Sequence, residues 1–266
     1  MTAVLFLFLQ HAALGLLAML PFVPARAGAT FFKFCSATAV FMSAAGFGLL
    51  WRRFGWQGGP GAPGAGSYPL VAALALVVLA CGVLYNRAEH FGWQRARLPL
   101  LAAALLAGAA QLVATARPGP GALIFATDLT SAWLLGASVA AMVLGHFYLV
   151  VLDLPITALR RLTVLLVVGL GLRAAVVAAA MLGPWQAGLD EAASVAGGVF
   201  SPDGIFVWMR LLFGLAGPLA LIGFIWKTVE IRSTQSATGI LYVQLFLVMA
   251  GELLAKYLRL AAGMPL

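Results

Sequence analysis

VLFLFLQHAALGLLAMLPFV, residues 4–23, decides the fold. A helix rises 1.5 Å per residue, so about 20 apolar residues match the roughly 30 Å hydrocarbon core of a bilayer. His11 is the one titratable side chain in the run. Ala25-Arg26-Ala27 imitates a signal-peptidase site. Against cleavage, no basic residue precedes the run, and it is longer than the roughly 7–15 apolar residues of a signal peptide. The segment reads as the first of a series of membrane helices.

Seven more apolar runs follow, at 32–51, 70–85, 99–116, 123–152, 162–182, 205–226 and 239–260. The composition agrees, with 63% hydrophobic residues, 9% charged and a mean hydropathy of +1.04, against about 25% charged in soluble domains. The expected fold is therefore all-α and polytopic: a single transmembrane domain, 1–266, of eight helices in two four-helix bundles. His11 and Pro21 before one basic loop, and His146 and Pro155 before another, hint at a repeat relating 1–120 to 121–266. The two histidines are then expected at equal depth.

Sixteen Lys and Arg stand against eight Asp and Glu, a net charge of +8. The cations lie between the apolar runs rather than in a block, which argues against a nucleic-acid partner and for the positive-inside rule. Odd-numbered connections hold Arg26, Lys33, Arg87, Arg95, Arg97, Arg160, Arg161, Lys227 and Arg232; even-numbered ones hold Arg52, Arg53 and Arg117. A bacterial-type inner membrane with both termini on the non-cytoplasmic side follows. The Gly/Pro-rich GWQGGPGAPGAGSYP and the Asp190/Glu191 loop share that side. Trp51, Trp56, Trp93, Trp185, Trp208 and Trp226 sit near span ends, as interfacial anchors do. Cys35 and Cys81 fall on different helices without metal or redox spacing. No Walker loop, HExxH, CxxC or GxSxG is present.

Titratable residues inside spans cost at least about 2.5–3.5 kcal/mol each and need partners. They are His11, His146, Arg173, Arg210 and Glu252. In VMAGELLAKYLRL, 248–260, Glu252, Lys256 and Arg259 share one helical face. The topology puts Arg210 and Glu252 in the outer half of the bilayer, so they are expected to pair, with Lys256 and Arg259 reaching toward the outer surface and Asp128 at the outer interface. One reading makes this a staple between helices. The other makes it a ligand site, with Glu252 exchanging protons and Arg210, Arg173 and Lys256 holding an oxygen. A quinone, menaquinone or ubiquinone, fits that chemistry, as does an anionic headgroup or a small anion.

Ser131, Ser138 and Gly145 recur every seven residues, a small-residue stripe that brings another helix close and places His146 near an interface. His146 is a candidate proton relay or quinone partner. With His11 it is also the one intramembrane histidine pair able to ligate a haem b.

LFLVMAGELLAKYLRLAAGM, 245–264, resembles the last helix of the membrane anchor subunits of DMSO-reductase-type enzymes. In that family a Gly-Glu-Leu precedes a basic residue, as Gly251, Glu252, Leu253 and Lys256 do here. The resemblance implies quinol oxidation at Glu252 on behalf of attached iron–sulfur and molybdenum subunits, which would be partners alongside membrane lipid. The family's His-Leu-Gly-Ser-Pro stretch has no counterpart in WRRFGWQGGPG, 51–61. Polysulfide-reductase-type anchors share the helix count and topology. A periplasmic reporter fused after residue 266 is expected to be active and one fused after Arg161 inactive; the reverse pattern contradicts the orientation.

Overall fold

The structure is a computed structural model that describes residues 1–116, 121–150, 154–187, 204–261 and 263–264, with backbone alone at 65 and 183–187. Arg117, the Asp190/Glu191 connection and the Trp185 side chain fall outside the described residues. Within them every regular element is helical. The helices are α1 (Thr2–Met19, prolonged by a 3-10 turn Leu20–Phe22), α2 (Ala29–Phe54), α3 (Tyr68–Phe91) and α4 (Gln94–Thr115). There follow α5 (Gly121–Val150), α6 (Thr157–Ala187), α7 (Ile205–Glu230) and α8 (Thr234–Ala261). All eight are long and apolar enough to cross a membrane.

Several helices outrun their apolar stretches. α3 continues through Asn86–Phe91 and α4 begins at Gln94, leaving Gly92 in the left-handed region (φ 72°) and Trp93 as the turn. Hydrocarbon thickness limits the apolar run, not the helix, and charged residues prolong a helix without difficulty. Arg97 closes this corner on Glu89 at 3.0 Å. Likewise α8 starts at Thr234, so the polar stretch expected as a loop shrinks to a turn at 231–233. Thr238 therefore lies within the helix. Its hydroxyl donates to the carbonyls of Thr234 (2.7 Å) and of Gly145 on α5 (2.8 Å).

Cross-helix contacts fix the directions. Gln10 pairs with Ser43, Glu89 with Arg97, Trp133 with Leu165, and Arg210 with Glu252, each about a hairpin turn. Successive helices therefore run antiparallel, and the basic odd-numbered connections gather at one end. α1 also packs on α4, α5 and α8, α2 on α3, α5 on α6 and α8, and α7 on α6 and α8.

α1 and α5 form the centre: 83% and 67% of their apolar windows are buried, against 22–44% for the other six. They run parallel and touch backbone to backbone. A Cβ added at Gly15 would overlap the Ala132 carbonyl, and one at Gly136 would overlap the Gly15 backbone. This registers His11 with Asp128, one turn before Gly15 and Ala132. His146 lies 18 residues further along α5, about 27 Å at helical rise. The two histidines are therefore not at equal depth, and the expectation drawn from their spacing to proline fails because α5 continues to Val150.

Both cysteines are free, Cys35 buried and Cys81 half-buried. Gly15→Ala is expected to lower stability by about 1–3 kcal/mol through overpacking, read as thermal unfolding in mild detergent. At Gly48 an added Cβ meets nothing within 4 Å. Gly48→Ala is therefore expected to be neutral or to stabilise by about 0.4–1 kcal/mol.

Candidate functional site: a buried ion cluster

The α8 stripe faces inward along its whole length. Where α8 crosses α7, Gly251 lies on Gly214, so close that a Cβ on either would overlap its surroundings. α7 forms a π-turn at Leu212–Ala216 here. Such a turn inserts a residue and widens the helix locally. One turn earlier, Arg210 lays its guanidinium over Gly214 and reaches α8. Glycine at 214 and 251 is thus the condition for Arg210 to meet Glu252.

Glu252 is the hub. Its Oε1 accepts from Arg173 Nε (2.9 Å) and Arg210 Nη2 (3.0 Å), its Oε2 from Arg173 Nη2 (3.1 Å), and Lys256 Nζ stands 3.8 Å from Oε2. Arg173 and Arg210 on α6 and α7, with Glu252, are completely buried. The paired geometry with Arg173 is the bidentate fork that suits guanidinium to carboxylate. Arg173 also donates to the Thr127 carbonyl of α5 (3.0 Å). Lys256 donates to Ser131 Oγ (2.7 Å), one turn further along that helix.

A second node adjoins the first. Arg259 donates to Asp128 Oδ1 and to the Thr115 carbonyl at the end of α4 (2.9 Å). His11 Nε2 approaches the same Asp128 oxygen at 3.9 Å, beyond hydrogen-bonding range. Six helices therefore send polar groups to one place, where four cations (Arg173, Arg210, Lys256, Arg259) meet two carboxylates (Glu252, Asp128).

These positions revise several expectations. Arg210, Arg173, Lys256 and Glu252 do converge. Lys256 and Arg259, however, turn inward to α5 instead of reaching toward the surface, because Ser131 and Asp128 sit opposite them. Asp128 is 1% exposed, a buried member of the cluster. It belongs to the face of Ser131, so the small-residue stripe held the signal. Both Glu252 oxygens accept from arginines, which fixes the carboxylate between two cations. His146 does not join. Gly145 meets α8, but the next residue turns about 100° away, and His146 is exposed, with Tyr242 Oη at 3.4 Å. His11 and His146 are thus not brought together around one haem. Among the described residues, no three His, Cys, Asp or Glu side chains converge as metal ligands.

Among the described residues, His11 Nδ1 and Nε2, Asp128 Oδ2, Gln111 Nε2, and Arg210 Nε and Nη1 have no hydrogen-bond partner, and neither do Gln244 Oε1 and Nε2, Glu89 Oε2 and Arg97 Nε away from the cluster. Native interiors satisfy about nine in ten such groups, so their concentration is informative. Gln111 belongs with the histidine: Leu14 of α1 lies against Gly108 of α4, and in antiparallel helices the next turn brings His11 level with Gln111. Just inward, α1, α4 and α5 leave an apolar groove of about 220 Å³ lined by residues including Leu14, Gly15, Leu112, Leu129 and Ala132.

Asp128→Asn is expected to cost about 1–3 kcal/mol because it leaves the part-buried Arg259 without its counter-charge. Arg52→Gln, on an exposed helix end, is expected to stay within about 0.5 kcal/mol. Thermal unfolding in detergent reads both. Equal, small effects would place Arg259 in water rather than in the cluster.

The chain matches no protein-family model, no curated protein and no solved structure.

Proposed function

We propose that the chain is a multi-pass inner-membrane subunit that binds a quinone, menaquinone or ubiquinone, for a larger redox complex. Its helices form two groups of four, α1–α4 and α5–α8, joined along α1 and α5, with both termini on the non-cytoplasmic side. The outward display of Phe41, Leu106, Phe224 and Phe246 supports a lipid surround, since soluble surfaces rarely carry so much contiguous apolar area. Basic residues gathered at one end support the orientation.

One observation supports the ligand: unpaired buried polar atoms of His11, Gln111 and Asp128 lie on the helices that form an apolar groove, within about one turn of its lining residues Leu14, Leu112 and Ala132. A quinone has polar oxygens on a ring and a hydrocarbon tail, and the donor set and groove fit both parts. When bound, it supplies coupled electron and proton transfer. Gln111 Nε2 is free to donate to an oxygen, and His11 with Asp128 Oδ2 offers a place for a proton. Arg259 and Lys256 lend positive potential nearby. Glu252 acts one step back, holding Arg173 and Arg210 in place. The connections are too short for an iron–sulfur or molybdenum site, so the electron path requires partner subunits, as the resemblance of 245–264 to DMSO-reductase-type anchors also implies.

A second reading has its own support. Four cations, three of them buried, against two carboxylates leave the cluster net positive, which favours an anion, so a transporter or anion-binding protein is the alternative. A bis-histidine haem does not fit, because the candidate ligands stand about 27 Å apart along the helices.

Purification of the tagged chain from its native membrane, followed by mass spectrometry of co-purifying proteins and solvent extraction of quinone, separates the readings. Redox subunits and quinone are expected, with His11→Leu reducing the quinone content by roughly tenfold or more, the loss of one buried charge-assisted hydrogen bond. A chain recovered alone, quinone-free, and taking up anions in vesicles would contradict the proposal and support the alternative.

A further inference from the structure

At the opposite, basic end of the molecule a separate groove of about 430 Å³ runs between the 3-10 turn that ends α1 and the first turns of α6. Phe22, Val164 and Leu165 form its apolar wall, and Thr157, Arg160 and Arg161 its polar rim. Both arginines are exposed, and neither has a carboxylate partner among the described residues. Arg160 is held in place, its guanidinium carbon 5.3 Å from the centre of the Trp226 ring. The pair also sits on the positive end of the α6 dipole.

We infer that this groove binds an anionic glycerophospholipid, with its phosphodiester at Arg160, Arg161 and Thr157 and an acyl chain along Val164, Leu165 and Phe22. Two unpaired guanidiniums beside a hydroxyl recognise phosphate oxygens with bidentate geometry. An apolar wall leading from them toward the membrane middle suits an attached hydrocarbon chain and serves no purpose for a free anion. The cluster of further cations at the same end, Arg26, Lys33, Lys227 and Arg232, marks the leaflet side on which anionic lipids concentrate. The site is independent of the Glu252 cluster, and its occupant is the same whether or not a quinone binds beside His11, Gln111 and Asp128.

The test uses the full chain in nanodiscs of phosphatidylcholine with admixed phosphatidylglycerol, and native mass spectrometry of the phosphatidylglycerol retained on release. Arg160→Gln with Arg161→Gln is expected to lower retention roughly tenfold. Val164→Trp, which fills the groove and leaves both arginines, is expected to lower it as well. Arg52→Gln with Arg53→Gln, at the other end, is expected to retain wild-type amounts. Unchanged retention in the first two variants would overturn the inference, as would equal loss in all three, which would mean general surface charge. Displacement of the lipid by inorganic phosphate at matched concentration would make a free anion the occupant and also overturn it.

Discussion

The Glu252 carboxylate between Arg173 and Arg210 is the interaction on which the cluster end of the structure depends. Each guanidinium alone would be costly to bury away from water, and one carboxylate shared between them offsets part of that cost. The sharing requires three helices in one register. α6 supplies Arg173 at mid-length, α7 must approach α8 closely enough for Arg210 to reach across, and α8 must turn its charged stripe inward. The Gly214–Gly251 contact and the π-turn in α7 follow from that demand. An alanine at either glycine would push the helices apart and strand a cation.

From this hub the polar network passes to α5, α4 and α1. Lys256 on Ser131 and Arg259 on Asp128 tie α8 to the centre, and Asp128 then faces His11. A network built solely as a staple would be expected to end satisfied, since half-satisfied buried networks are the costly kind. Here both Glu252 oxygens are paired, while Arg210 Nε and Nη1 beside them, and His11, Gln111 and Asp128 Oδ2 at the second node, have no hydrogen-bond partner among the described residues. Spare hydrogen-bonding capacity therefore remains at both nodes, and the second node shares its helices with the groove between α1, α4 and α5.

Much of this was legible in the residues. Apolar run length gave the eight helices, and the spacing of Glu252, Lys256 and Arg259 announced a charged face. The Arg210 pairing followed from a short connection between neighbouring spans. What the sequence hid has identifiable causes. Helix ends extend past apolar runs because charge does not stop a helix, as at Asn86–Phe91. Arg259 and Lys256 were expected to reach toward the surface because their partners, Asp128 and Ser131, lie over a hundred residues away on α5. His146 was placed at an interface by its neighbour Gly145, although adjacent helical residues point about 100° apart. Gln111 and His11 were each visible as polar residues in apolar runs, but their proximity is set by the Leu14–Gly108 contact, which only the fold reveals.

The most direct test of the central claim is a double-mutant cycle on Arg173→Gln and Glu252→Gln, with unfolding free energies measured in one detergent. If Glu252 serves to hold the arginines, the two changes are expected to couple by about 1.5–3 kcal/mol, the upper part of the range for residues in one buried network. Additivity within about 0.3–0.5 kcal/mol would mean that the two side chains do not depend on each other. It would contradict the picture of a cluster organised around a shared carboxylate.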